Sequence, residues 1–237
     1  MSTPSDYICS GCGEPALLRC VRCLGAFYCG KECQKKMWRE HKVLCKTAAE
    51  ILAANGLSVD EFDNEFKESK RLAELGDADA QFNLGLSYHN GTGVAVDLPK
   101  AIKWYTLAAV AGELKAQYNL GICYDKGYGV EIDKCEAVKW FRCAAEAGNV
   151  KAQVNLGNCY FNGNGVPIDK REAAKWFTRA AEAGHVPAQH NLGVCFFKGE
   201  GVAVNKREAV KWFKRAAEAG HAGSMDKLDF LRKEQLL

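Results

Sequence analysis

A block of 36 residues that occurs four times in succession constrains this chain more than any other feature. The copies begin near residues 77, 113, 149 and 185, and no insertion interrupts the register. Each copy contains the run Gln-x-Asn-Leu-Gly, a Gly-x-Gly-Val segment, one Trp and a closing Gly. The tryptophans are Trp104, Trp140, Trp176 and Trp212. A fixed period of this length is typical of a solenoid, in which each unit packs on its neighbours.

Each copy has the pattern of two helices. Ala80, Leu84 and Tyr88 recur at i, i+4 and i+8, which marks one face of a first helix that the following glycines end. Small and aromatic residues between 101 and 109 mark the inner face of a second helix, and Gly112 ends it as a C-terminal cap. We expect the tryptophans to fill the space between successive helix pairs.

This pattern resembles Sel-one-like repeats, relatives of the tetratricopeptide family, over residues 77–221. The resemblance implies an all-α helical repeat solenoid of about four helix pairs with capping helices. Gly76 lies 36 residues before Gly112, so we expect residues 47–76 to form connecting helices and a degenerate capping repeat. Residues 222–237 are expected to form a polar C-terminal capping helix.

The same resemblance implies a ligand-binding surface on the solenoid. Tetratricopeptide-like first helices line a concave groove, and the outward positions are largely apolar here, so an amphipathic or apolar peptide is the expected ligand. The alternative is that some of these side chains pack between repeats. The residues assigned to the groove are Phe82, Leu86, Tyr118, Ile122, Asn158, Phe161, Val194 and Phe197.

The N-terminal segment, residues 1–46, has metal-ligand spacing. Its candidate ligands are Cys9, Cys12, Cys20, Cys23, Cys29, Cys33, His41 and Cys45. Eight sulfur or imidazole donors predict two closed tetrahedral zinc sites, which stabilise a fold and leave no open position for a substrate. A segment this short buries too little apolar surface to fold alone, so metal binding is expected to drive its folding.

These residues resemble a MYND-type zinc finger over residues 9–45, including the Phe27-Tyr28 pair before Cys29. Spacing alone leaves the pairing of ligands open. The resemblance implies interleaved sites, with one zinc on Cys9, Cys12, Cys29 and Cys33 and the other on Cys20, Cys23, His41 and Cys45.

MYND fingers that bind short proline-containing peptides carry a Gln directly after the sixth ligand and a Trp four residues later. Here these residues are Gln34 and Trp38. The resemblance therefore implies a peptide-binding site on the finger. The alternative is that Trp38 packs against a neighbouring helix.

Charge argues against nucleic acid as the partner. Residues 1–46 carry eight Lys or Arg against four Asp or Glu. Seven ligand thiolates and two zinc ions would bring the loaded finger near +1 and the whole chain, formally +3, to about zero. Phosphate binding needs more basic charge. A nucleic-acid-binding transcriptional regulator remains the alternative, and a salt titration of DNA binding separates the two.

No arrangement of a nucleophile with a base stands out, so we expect no enzymatic activity and no small-molecule substrate. His89, His185, His190 and His221 form no i, i+4 pair, and each is expected to be a lone structural or solvated side chain. Cys123, Cys159 and Cys195, spaced 36 residues apart, are expected to be small packing residues.

The chain begins without a secretory signal and has no apolar run of about 18 residues that could span a bilayer. Its C-x2-C pairs indicate a reducing compartment, cytoplasmic or nuclear. The sequence therefore predicts a non-enzymatic adaptor that binds protein or peptide partners away from membranes.

Overall fold

A computed structural model of the protein describes Leu18–Arg19, Phe27–Tyr28 and residues 59–233. Strands β1 (Leu18–Arg19) and β2 (Phe27–Tyr28) pair antiparallel, with Leu18 opposite Tyr28 and Arg19 opposite Phe27. All eight candidate zinc ligands, together with Gln34 and Trp38, lie outside the described residues, as do residues 47–58 of the segment expected to form connecting helices.

Residues 59–233 form ten helices. They are α1 (Val59–Glu74), α2 (Ala78–Asn90), α3 (Leu98–Val110), α4 (Leu114–Lys126), α5 (Lys134–Glu146), α6 (Val150–Asn162), α7 (Lys170–Glu182), α8 (Val186–Lys198), α9 (Lys206–Glu218) and α10 (Ala222–Lys233). Each 36-residue copy contains one helix pair, as the sequence predicts, and residues 59–233 are therefore all-helical. The chain divides into two compact units, residues 1–113 and residues 114–237.

In the first unit, α1 packs against the first repeat. Ala73 of α1 shares a buried cluster with Ala80 and Leu84 of α2. The Asp77 carboxylate caps α2 by accepting a hydrogen bond from the backbone N–H of Ala80 at 2.7 Å, as N-cap residues commonly do. Gln81 donates its side-chain N–H to the carbonyl oxygen of Ala73 at 3.1 Å. These contacts fix α2 against the end of α1.

In the second unit, helices α4–α9 build three successive repeats with the same core. The Leu of each Gln-x-Asn-Leu-Gly run is fully buried, and Phe141, Phe177 and Phe213 of the second helices are buried beside it. Trp176 of α7 lies in a cluster with residues of α5, and Trp212 of α9 lies in a cluster with residues of α7. The prediction that tryptophans fill the space between helix pairs is confirmed at these two positions.

The cysteines spaced 36 residues apart are also core residues, as predicted. Cys123, Cys159 and Cys195 are buried, and burial raises the pKa of each thiol to about 11. Such thiols remain protonated at neutral pH and react slowly. Cys135 and Cys143 of α5 are exposed free thiols.

Two repeated contacts join the last two repeats of the second unit to the repeat before each of them. Gln153 and Gln189 donate their side-chain N–H groups to the carbonyl oxygens of Ala145 and Ala181, at 3.2 and 3.3 Å, near the end of the preceding second helix. Gly201, at φ +78°, lies so close to the carbonyl oxygen of Lys170 that a β-carbon would clash with it. The second glycine of the loop is therefore required by packing as well as by its backbone conformation.

The C-terminal helix α10 is attached through two histidines. Nδ1 of His221 accepts a hydrogen bond from the backbone N–H of Ser224 at 3.2 Å, and Nδ1 of His190 lies 2.8 Å from the Ser224 hydroxyl. The two imidazole centroids are 4.5 Å apart, and Ser224 is fully buried. The expectation that His190 and His221 are each isolated is therefore wrong, because the fold brings together residues 31 positions apart.

Candidate functional site

In each of the two units, the first helices of the repeats carry half-buried side chains at the positions assigned to the groove. All eight residues assigned to the groove have intermediate exposure, so none is enclosed in the core. They occupy the sixth, tenth and thirteenth positions of their copies. We refer to this set, Phe82, Leu86, Tyr118, Ile122, Asn158, Phe161, Val194 and Phe197, as the first-helix surface.

Aromatic members of this surface also support the fold. The ring of Phe82 lies 5.9 Å from that of Tyr105 in the first unit. In the second unit, Tyr118 lies 6.2 Å from Phe141 and Phe161 lies 6.3 Å from Phe177. One side of each ring covers the central aromatic residue of the second helix. The alternative considered from sequence was packing between repeats, whereas each of these three ring contacts lies within one repeat.

The surface is not uniformly apolar. The tenth position is held by Leu86, Ile122, Asn158 and Val194 in the four copies. Val194 and Phe197 pack against the buried cluster that includes Phe213 and Leu228. The thirteenth position, Phe161 and Phe197 in the last two copies, is His89 in the first and Asp125 in the second.

Asp125 introduces a charge at the thirteenth position of the second copy, on α4. Its carboxylate oxygens lie 2.9 Å from the amines of Lys126 and Lys134. Burial alone would raise the pKa of Asp125, but the hydrogen bonds from Lys134 and Lys126 outweigh it and hold the pKa below its usual value. The carboxylate is therefore ionised at neutral pH, and the second copy presents a polar group where later copies present phenylalanine.

Sequence reasoning missed a row of asparagines on the same helices. Asn83 is exposed, and Asn119, Asn155 and Asn191 are half-buried, at the seventh position of each copy. Asn155 hydrogen-bonds the side chain of Tyr118. Burial raises the pKa of Tyr118, and this hydrogen bond partly offsets the increase. This contact joins the first helices of two successive repeats. This row could have been found from the sequence, because every Gln-x-Asn-Leu-Gly run contains the Asn.

This arrangement is suited to binding. An exposed side-chain amide can donate to and accept from a peptide backbone, and half-buried rings can cover apolar side chains. Within the part of the chain that the structure describes, no three His, Cys, Asp or Glu side chains converge as a metal site. No helix there is both long and apolar enough to cross a membrane.

Two protein-family models match the chain. The Sel1 repeat matches residues 78–112, 114–149, 150–185 and 186–221, which together make up more than half of the sequence. The MYND finger matches residues 9–45. The first of these families consists of repeat units and the second of zinc-binding fingers, and neither is a catalytic family.

Two solved structures are similar to the repeats. One is c5321, a protective antigen of uropathogenic Escherichia coli strains, with 39% identity, a TM-score of 0.70 and coverage of 72% of this chain and 36% of that chain. The other is a Sel1 repeat protein from Oxalobacter formigenes, with 36% identity, a TM-score of 0.66 and coverage of 72% and 50%. This chain thus spans half or less of both structures.

A curated relative, Egl nine homolog 1 from Homo sapiens, is 49% identical over 39 residues. The match covers 16% of this chain and 9% of that protein. The shared segment is therefore a small part of each protein.

Proposed function

Because this chain belongs to the Sel1 repeat family and carries a MYND finger at residues 9–45, we propose that it is an adaptor that brings together two protein partners. Sel1 repeats and MYND fingers are protein-interaction modules. The specific assignment is that the first-helix surface binds one peptide and the finger binds a second, proline-containing peptide.

The observation that carries the proposal is the first-helix surface itself. A position needed only for packing would be buried, and one needed only for solubility would be polar and exposed. The eight residues of this surface are neither, because each is half-buried and most are apolar. Together with the asparagine row, they offer apolar contacts and backbone hydrogen bonds, which suits a peptide ligand.

The finger is proposed to hold two zinc ions. MYND fingers bind zinc, and seven cysteines with one histidine form a donor set of thiolates and imidazole that suits this metal. The ligand assignment given by the resemblance, with Cys9, Cys12, Cys29 and Cys33 on one ion and Cys20, Cys23, His41 and Cys45 on the other, leaves no position for a substrate. Zinc here would be structural, and Gln34 and Trp38 would contact the peptide.

Affinity capture from cell extract with full-length, zinc-loaded variants tests the adaptor function. Ile122→Glu places a carboxylate on the first-helix surface, and Trp38→Ala alters the finger. Ile168→Glu is a matched control, because Ile168 lies in a loop and is 65% exposed. We expect Ile122→Glu and Trp38→Ala each to lose a different set of captured proteins, and Ile168→Glu to lose neither.

Thermal unfolding of each variant shows whether the substitution has damaged the fold. If folded Ile122→Glu and Trp38→Ala capture the same proteins as wild type, the adaptor assignment is wrong.

A further inference from the structure

The charges of the described residues are unevenly distributed. Residues 59–113 carry five Lys or Arg and ten Asp or Glu, whereas residues 114–233 carry 19 Lys or Arg and 13 Asp or Glu. Helices α7 and α9 alone contribute nine cations against four carboxylates. The positive excess of the last three repeats therefore lies mainly on these two second helices.

Ion pairs neutralise three of those nine cations. Lys170 lies 2.8 Å from Glu200, Lys175 lies 2.8 Å from Glu172, and Lys211 lies 3.5 Å from Glu208. The other six are exposed and form no ion pair within the described residues. We call these six the basic face: Arg171, Arg179, Lys206, Arg207, Lys214 and Arg215.

The six cations of the basic face lie on two helices, α7 and α9, that share one buried cluster. Trp212 of α9 is buried in the cluster that contains Ala173 and Phe177 of α7. The two helices therefore contribute to the same core, and all six cations are exposed on them. This surface is separate from the first-helix surface, which belongs to the other helix of each pair.

Two arginines of the basic face are held by stacking. The guanidinium carbon of Arg179 lies 4.6 Å from the ring centroid of Trp176, and that of Arg215 lies 4.9 Å from Trp212. A guanidinium stacked on an indole keeps its N–H donors available at its edge and loses little rotamer freedom when a ligand binds. The corresponding positions in the first two copies are Leu107 and Cys143, so the arrangement is specific to the last two repeats.

We propose that the basic face is a binding site for an acidic peptide segment of a partner protein. Planar guanidinium groups pair with carboxylates in a bidentate manner, and arginines already positioned by tryptophan favour that geometry. The complementary ligand is a run of Asp or Glu residues. This site adds a third interaction surface to the adaptor and does not depend on the peptide proposed for the first helices.

Carboxylates next to the basic face favour an acidic peptide over a nucleic acid. Glu182 and Glu218 are exposed on the same two helices, and Glu172 and Glu208 lie beside the paired lysines. A nucleic acid carries a charge at every phosphate and would be repelled by these groups along its length. A peptide can place its acidic side chains opposite the arginines alone.

Fluorescence anisotropy of a labelled deca-glutamate peptide with the full-length protein tests this site. The face variant carries Arg179→Gln, Arg207→Gln, Lys214→Gln and Arg215→Gln. The matched control removes four exposed lysines elsewhere, by Lys103→Gln, Lys151→Gln, Lys198→Gln and Lys233→Gln. We expect the face variant to weaken binding at least about ten-fold and the control less than about two-fold, with binding of the wild type weakening as salt rises.

A milder variant separates geometry from charge. Arg179→Lys with Arg215→Lys keeps both charges and lacks the planar stacked groups, so we expect an intermediate loss of affinity. Thermal unfolding shows whether each variant is folded. If the four-residue variant does not fold, the double arginine-to-lysine variant still tests the site.

Three results would overturn the proposal. The first is an equal loss of peptide binding in the face and control variants. The second is tighter, face-dependent binding of an oligodeoxythymidine of the same charge, which would make the site one for nucleic acid. The third is salt-sensitive self-association of the wild type that the face variant abolishes, which would make a second copy of the chain the occupant.

Discussion

The ring of Phe177 lies directly against Gly157, so that a β-carbon on this glycine would come within 2.6 Å of ring atom Cε1. The same contact recurs between Gly121 and Phe141 and between Gly193 and Phe213. Glycine in a helix interior is usually destabilising. The last residue of each Gln-x-Asn-Leu-Gly run is therefore glycine because the two helices of a pair approach closely there.

Replacing Gly157 by alanine should destabilise the repeats. Alanine normally stabilises a helix relative to glycine, but here its methyl group would overpack the contact with Phe177, at an expected cost of about 1–3 kcal/mol. The measurement is the urea midpoint of unfolding, followed by far-UV circular dichroism.

A double-mutant cycle provides the control for Gly157→Ala. Phe177→Leu removes the ring, so the alanine should be better tolerated in the double variant than in the wild-type background. Additive effects of the two substitutions would show that Gly157 and Phe177 are not coupled as described.

The finger is expected to bind two zinc ions per chain. Removing them with a strong chelator should unfold residues 9–45 while most repeat helicity remains, because the repeats have a buried core of their own. Metal analysis and far-UV circular dichroism measure the two effects. Cys20→Ser should lower the zinc content below two, whereas Cys143→Ser, at an exposed thiol of α5, should leave it unchanged.

A zinc stoichiometry of one in the fully loaded wild type would contradict the two-site assignment. Retention of both zinc ions by Cys20→Ser would remove that residue from the ligand set.

Trp38→Ala should abolish binding of a proline-leucine-proline type peptide and leave the zinc content unchanged. An aromatic face suits proline rings, and an extended proline-rich peptide has little conformational entropy left to lose on binding. Isothermal titration calorimetry measures the affinity. Phe230→Ala removes another aromatic residue, 49% exposed on α10, and should bind like wild type. Absence of binding by the wild type would rule out this site.

The attachment of α10 should weaken below neutral pH. Burial, followed by the nearby charges of His221 and Lys227, lowers the pKa of His190 below its ordinary value of 6.5. The unfolded chain then binds more protons than the folded one. The contribution of neutral His190 to the free energy of unfolding is therefore present above about pH 6.5 and is lost as the pH falls.

Hydrogen exchange of the α10 amides at pH 7.5 and 5.5 measures this effect. We expect faster opening of α10 at the lower pH in the wild type, and a smaller pH effect in His190→Gln. An equal pH effect in both proteins would show that His190 is not responsible.

The helix pairs could be predicted because four copies report the same pattern. Leu84 and its counterparts recur 36 residues apart, and the glycines of each copy mark the ends of the two helices at the same repeat positions. Within α7, the stack of Arg179 on Trp176 was also readable, because the two residues are three apart on a helix. The contact of His190 with His221 could not be predicted, since it depends on how α8 meets the start of α10.

The composition of the first-helix surface was harder to predict for a related reason. The tenth position varies from Ile122 to Asn158, so apolar character alone does not define it. The packing of Tyr118 on Phe141 involves two different helices, and only the fold shows which side of the tyrosine ring is covered.

The bonds of Gln153 to Ala145 and of Gln189 to Ala181 have a consequence for synthesis of the chain on the ribosome. Each glutamine reaches backward to a carbonyl eight residues earlier in the sequence. That acceptor has therefore already been translated when the glutamine is added. In these repeats the docking partner always precedes the residue that needs it, which favours folding from the N-terminal end while the chain is still growing.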